Sequence, residues 1–268
     1  MHDDFQEKPK PTKPFLFNII SFITVPGDGG SQLMAKLNKT TAVHFLCTYT
    51  TDYYFTLWLN LELLAPYFID CTVDNLRLVY NPASKKTSNS PGVKTALPQF
   101  GDPDGVEFLD PSEIFVSSYY APLGEALRAA GYENNKNLFG TAMTSEGSSY
   151  CNWISTLKGP TFTLMRLHLS TCGCSFRHHV MYEMQEYFTN LTKLIESSYA
   201  QNGKPALVVA HSLGNMVFTY FLSTMSQNWK DKYVAGYVAV AAPLGALLSS
   251  LDSMYPVSWS HLTNVIYI

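Results

Sequence analysis

Ser212 stands in the run Ala210, His211, Ser212, Leu213, Gly214, and this is where the sequence could do covalent chemistry. A serine hydroxyl attacks poorly at neutral pH unless a base activates it and donors face the oxyanion that its attack creates. The competing reading is an ordinary polar residue at a strand end, and a Ser-Leu-Gly tripeptide alone does not separate the two. The flanking sequence does. "ALVVA", residues 206–210, is a short continuous apolar run of the kind that forms a buried strand, and from Leu213 to about Ser223 the apolar residues follow helical spacing. Strand, small residue, serine, small residue and helix form the nucleophile elbow G-x-S-x-G, here with alanine at the first small position. The expected reason for the small residues is steric: the turn brings Ala210 and Gly214 close to each other. It should leave the Ser212 hydroxyl exposed at the carboxyl end of the strand, with the amide of Leu213 at the helix N-terminus aimed at the oxyanion.

A second oxyanion donor has to come from another loop. "PGDGG", residues 26–30, follows the apolar run "FLFNIISFITV", residues 15–25, and its three glycines permit backbone conformations and close approaches closed to other residues. The amide of Asp28 is the expected donor. The same run stands behind three lysines and resembles the apolar region of a secretory signal. Asn18 interrupts it, no small-x-small cleavage site follows, and it enters the glycine turn directly, so a buried first strand is the favoured reading. Residues 1–14, charged and proline-bearing, read as a mobile tail.

The remaining elements must hold these two loops together. "YVAGYVAV", residues 233–240, is another continuous apolar strand, and helical spacing recurs over 115–130 (Tyr119, Leu123, Ala126, Leu127, Ala130, with a stop at Gly131) and 183–200 (Met184, Phe188, Leu191, Ile195, Ser198). Apolar strands alternating with helices imply an α/β fold whose parallel sheet is covered on both faces. Residues 51–70, if helical, would be apolar around much of the circumference. Residues 81–92 and 98–105 are turn-rich loops. No internal repeat is visible.

Composition narrows the partners. The 268 residues, 46% hydrophobic, suffice for one sizeable core, and eighteen basic against twenty-one acidic residues leave a formal charge of −3. No Lys/Arg stripe interleaves with aromatics, so nucleic acid is not an expected partner. No run reaches the roughly 18 uninterrupted apolar residues of a membrane span. Five cysteines cannot be paired by composition, and the N-x-T sequons at Asn38 and Asn190 are weak signals of a glycosylating route. His168, Cys172, Cys174, His178 and His179 offer zinc-type ligands, but their spacing fits no common structural zinc pattern, and no metal is expected.

Several stretches carry a resemblance. "VPGDGGSQLMAKLNK", "HFLCTYTTDYYFTLWLNLELLAPYFIDCTVDNLRLVYN", "VEFLDPS", "EMQEYFTNLTKLIE", "VVAHSLGNM" and "WKDKYVAGYVAVAAPLGA" are similar to the lecithin:cholesterol acyltransferase family, over roughly residues 19–140 and 183–246. The resemblance implies an α/β-hydrolase with a Ser, Asp, His triad that moves an acyl chain from phospholipid to water or a lipid alcohol. It implies Ser212 as nucleophile, the amides of Asp28 and Leu213 as the oxyanion hole, and a disulfide between Cys47 and Cys71. That bond would pin a small membrane-engaging cap over residues 44–80. Trp58, Leu59 and Leu61 would meet lipid, although plain core packing accounts for Trp58 equally well. A lysosomal or secreted location follows by the same resemblance. Serine acyl transfer requires no organic cofactor.

The pattern breaks twice. The family's stretch resembling G-x-P-Y-D-W/F-R is absent, and residues 141–182 stand there as an atypical insert without clear period, holding Cys151, Cys172 and Cys174. After Ser212 only Asp231, Asp252 and His261 remain as acid or imidazole, and none is a credible triad match. Residues 15–268 therefore read as a partial hydrolase domain, truncated at its C-terminus and impaired in catalysis. The alternative is a non-catalytic lipid-binding or regulatory protein, and a hydrolase of soluble esters is a third reading.

Overall fold

The computed structural model describes residues 20–81, 83, 86–143, 184–242 and 265–267. Along the chain, β1 (Phe22–Val25) and β2 (Leu33–Leu37) are followed by β3 (Phe55–Trp58) and helix α1 (Phe68–Leu76). Strands β4 (Leu78–Asn81), β5 (Lys86–Asn89) and β6 (Val93–Ala96) come next, then α2 (Asp104–Glu107), α3 (Ala121–Ala129) and β7 (Leu138–Gly140). The second part holds α4 (Gln185–Asn202), β8 (Ala206–His211), α5 (Leu213–Thr224), α6 (Gln227–Tyr233), β9 (Val234–Val240) and β10 (Val265–Tyr267).

The main sheet has the order β10, β9, β8, β1, β7, and every neighbouring pair is parallel. Alternation along its strands serves two cores. Ile23, Val25, Val208 and Ala210 point to one face, where they meet Leu191 and Ile195 of α4 and Phe218 and Phe221 of α5. Phe22, Leu138 and Val209 point to the other, where Leu123 and Leu127 of α3 cover them. Burial on both faces explains why these strands read as unbroken apolar runs.

A smaller antiparallel sheet, β3, β2, β6, packs Leu33, Ala35, Leu37, Leu57 and Val93 into its own core. The Cys47–Cys71 disulfide joins the loop before β3 to α1. Lys39, its side chain only 6% exposed, ties the end of β2 to α1 by donating to Asp74 at 2.5 Å and to Asn75 at 2.8 Å. Among the described residues no helix is long and apolar enough to cross a membrane.

The local expectations fare unevenly. β8, β9, α4 and α5 occupy the segments that their periodicity indicates, while β1 takes up Phe22–Val25 of the apolar run 15–25, whose residues 15–19 lie outside the described ones. Residues 51–70 are not one helix: Phe55–Trp58 is a strand, Glu62–Leu64 a single 3-10 turn, and α1 begins only at Phe68. The β-prone "YYFTLW" can pair because β2 offers a free edge, and tertiary pairing overrides helical spacing. The helix expected over 115–130 likewise begins at Ala121, after a 3-10 turn at Phe115–Ser117. Residues 1–14 and nearly all of 141–182, including Cys151, Cys172 and Cys174, lie outside the described residues.

Candidate active site

Chain order and sheet order together locate the site. From β1 the chain crosses to β7 on one side and then to β8 on the other, so order reverses between β1 and β8. Loops leaving the carboxyl ends of such strands diverge and leave a crevice, the usual ligand position in open α/β sheets. Residues 26–30 leave β1 there, and Ser212 leaves β8 there.

Ser212 has φ 50° and ψ −122°, a strained backbone for a residue with a side chain. The surroundings fix it. Its N–H donates to Val240 O at 3.0 Å, at the end of β9, and its carbonyl accepts the N–H of Asn215 at 3.1 Å. Asn215, fully buried, donates through Nδ2 to Ser212 O at 2.9 Å and to Val240 O at 3.0 Å, while its Oδ1 accepts Tyr237 Oη at 2.6 Å. The serine is half-buried, and α5 starts at the next residue. Among the described residues no side chain hydrogen-bonds to Ser212 Oγ.

The small residue at 214 is required, for a reason other than the one expected from sequence. A Cβ on Gly214 would run into the carbonyl of Pro26 and lie 2.7 Å from the carbonyl oxygen of Val25. Its closest neighbour is the backbone leaving β1, rather than Ala210. The elbow and the glycine loop are thus packed main chain to main chain. On the other side, a Cβ on Gly27 would sit 2.9 Å from the Cβ of Ser212.

The loop at 27–30 is a tight turn, closed by Gly30 N–H to Gly27 O at 3.1 Å, with Gly29 at φ 65° in its third position. Asp28 is its exposed corner. Two aromatic residues grip the turn. Trp58 Nε1–H donates to Gly29 O at 2.8 Å with its ring against Gly29, and Tyr119 Oη accepts the N–H of Gly27 at 2.9 Å with its ring against Gly30. Tyr119 Oη also lies 2.5 Å from Nδ1 of His211. Burial holds the His211 imidazole below its ordinary pKa and pushes the Tyr119 phenol up, against the Gly27 N–H, which favours the phenolate. The site therefore carries a neutral imidazole beside the serine that is turned to Tyr119.

The other expected residues spread across the molecule. Cys47 and Cys71 form a disulfide. Trp58, Leu59 and Leu61 are half-buried, and Trp58 serves the glycine loop. More exposed apolar side chains of the same region are Phe45 at 86%, Tyr53 at 70% and Tyr67 at 72%. Asn38 is exposed at the end of β2, and Asn190 is half-buried on α4. Asp231 is exposed on α6, where it accepts Gln227 Nε2 at 2.7 Å. Asp252, His261 and the cluster of His168, Cys172, Cys174, His178 and His179 lie outside the described residues.

Sequence reading missed Tyr119, Asn215 and the part played by His211. Tyr119 and His211 are 92 residues apart, and nothing local marks either as a partner of the loop. Asn215, two residues past Leu213 in a helix whose buried face is otherwise apolar but for Thr219, was a visible anomaly: a buried amide needs partners.

Comparison with known proteins gives a consistent picture. The family described as lecithin:cholesterol acyltransferase matches residues 54–144 and 175–255. The lysosomal phospholipase A and acyltransferase of Bos taurus is 42% identical over 85% of this chain and 48% of its own length, and that of Homo sapiens 40% over the same shares. The phosphatidylcholine-sterol acyltransferase of Homo sapiens is 33% identical over 85% of this chain and 44% of its own. The chain spans about half the length of the curated relatives it matches.

Proposed function

We infer, on the premise that the chain belongs to the lecithin:cholesterol acyltransferase family, that Ser212 is the acyl-carrying nucleophile of an α/β-hydrolase site acting on phospholipid. The observation that carries this reading is the strained elbow at φ 50° packed directly against the glycine loop. In the proposed reaction the Ser212 hydroxyl attacks an ester carbonyl of the phospholipid. The oxyanion is met by the amides of Asp28 and Leu213, the lyso-lipid leaves, and water or a lipid alcohol takes the acyl group from the serine. Relatives bearing the names phospholipase A and acyltransferase support both acceptors.

Among the described residues no carboxylate or imidazole is hydrogen-bonded to the Ser212 hydroxyl. Of Asp231, Asp252 and His261 in residues 213–268, Asp231 is an exposed residue on α6 and the other two lie outside the described residues. His211 is adjacent but directs Nδ1 to Tyr119. We propose that acylation by these residues is slow, because an oxyanion hole alone retains only a small part of a triad's rate. The disulfide and the sequons at Asn38 and Asn190 favour an oxidising compartment, lysosomal or secreted.

The test is acyl transfer from phosphatidylcholine vesicles containing a lipid alcohol. The chain should give slow product formation that Ser212→Ala abolishes, and should cleave a short-chain soluble ester no better. Product that survives the substitution would remove the nucleophile. A second reading, a lipid-binding protein without turnover, is favoured by the exposed Phe45, Tyr53 and Tyr67. It predicts vesicle flotation that Ser212→Ala leaves unchanged, with no acyl product.

A further inference from the structure

Tyr119 belongs to neither half of the site, yet it touches both. Its N–H donates to Glu107 O at 2.8 Å, so the residue is anchored to the end of α2. Its ring is wedged edge-on against Tyr120, at 4.7 Å between centroids, and against His211, at 5.4 Å. A Cβ on Gly30 would meet that ring at 2.7 Å, so no other residue at 30 would leave room for it.

One of the two bonds at its oxygen has a fixed direction. The Gly27 N–H can only donate, so Tyr119 Oη accepts there, at 2.9 Å. A neutral phenol has one hydrogen left to give, and 2.5 Å away stands His211 Nδ1, so a strap in which Tyr119 donates requires that nitrogen to carry no hydrogen. A neutral imidazole in that strap is the tautomer protonated at Nε2. Gly27 precedes Asp28 and His211 precedes Ser212, so one hydroxyl ties together the residues before the two halves of the site.

We propose that Tyr119 is a positioning residue whose hydroxyl fixes the glycine loop relative to the elbow, so that the Asp28 and Leu213 amides face one point above Ser212. This rests on the reading of Ser212 as the acyl-carrying nucleophile. Oxyanion donors act over a narrow range of distance, and a misplacement of about 1 Å at a reacting centre costs on the order of a hundred-fold in rate. Gly27 is buried, and without the phenol its N–H would lack this acceptor.

Tyr119→Phe removes one oxygen and keeps the wedge. Two readouts separate the strap from its consequence. With nitrogen-15-labelled histidine, and His211→Asn to assign the signal, the His211 resonances should report the Nε2–H tautomer in the parent chain and a tautomer mixture in Tyr119→Phe. Reaction of Ser212 with an alkyl fluorophosphonate should slow by about ten- to a hundred-fold in its inactivation step, with apparent affinity unchanged. His211→Asn, whose amide oxygen can take the Tyr119 hydrogen, should keep most of the parent rate, and His211→Leu should lose it. Parent-like labelling by Tyr119→Phe, or a loss confined to affinity, would overturn the proposal. If the parent chain is not labelled at all, the nucleophile reading fails and the positioning role with it, while the imidazole spectrum still reports whether the strap exists.

Discussion

Backbone strain at Ser212, on the order of 1–3 kcal/mol for a side-chain-bearing residue at φ 50°, persists because its neighbours over-determine it. Asn215 and Val240 hold the peptide from inside the sheet, and Gly214 lets the β1 backbone press against it. Protonation enters through His211. Burial lowers its pKa in the fold, and no charged side chain contributes to the shift; the titratable group facing it is Tyr119, itself kept neutral by burial. The imidazole's contribution to stability is therefore complete above the unfolded value of about 6.5 and is lost as pH falls through the lower folded value. A protonated Nδ1 can no longer accept the Tyr119 hydrogen. Fluorophosphonate labelling of Ser212 should accordingly fall below pH 6.5 more steeply in the parent chain than in Tyr119→Phe, which has no strap to lose. Parallel profiles would contradict this.

At the scale of elements, legibility followed locality. β8, α5 and β9 were readable because strand and helix periods there are produced by burial on known faces, and the elbow was readable because sterics dictate its small residues. Residues 51–70 were not, because their strand exists by pairing with β2 and their helix by docking through a disulfide and Lys39. Tyr119 and Trp58 reach the glycine loop across 92 and 29 residues, and no local pattern carries that information. The disulfide closes a separation of 24 residues, which in the chain-entropy account contributes about 3 to 4 kcal/mol. Replacing both cysteines, as Cys47→Ser with Cys71→Ser, should lower unfolding free energy in urea by about that amount. A loss under about 1 kcal/mol would show that β2, β3 and Lys39 hold the region without it.

Over the whole molecule, a parallel sheet places two loops side by side at the one point where strand order reverses, and the helices on both faces keep the strands in register. The same framework presents apolar side chains from the disulfide-linked region to solvent. The measurement that bears most directly on this account is the intact mass of the chain after exposure to a fluorophosphonate, followed by mapping of the modified peptide. One adduct, on the peptide containing Ser212 and absent from Ser212→Ala, is the predicted result. An unmodified chain, or an adduct that persists in Ser212→Ala, would mean that the strained serine beside the glycine loop is not a nucleophile.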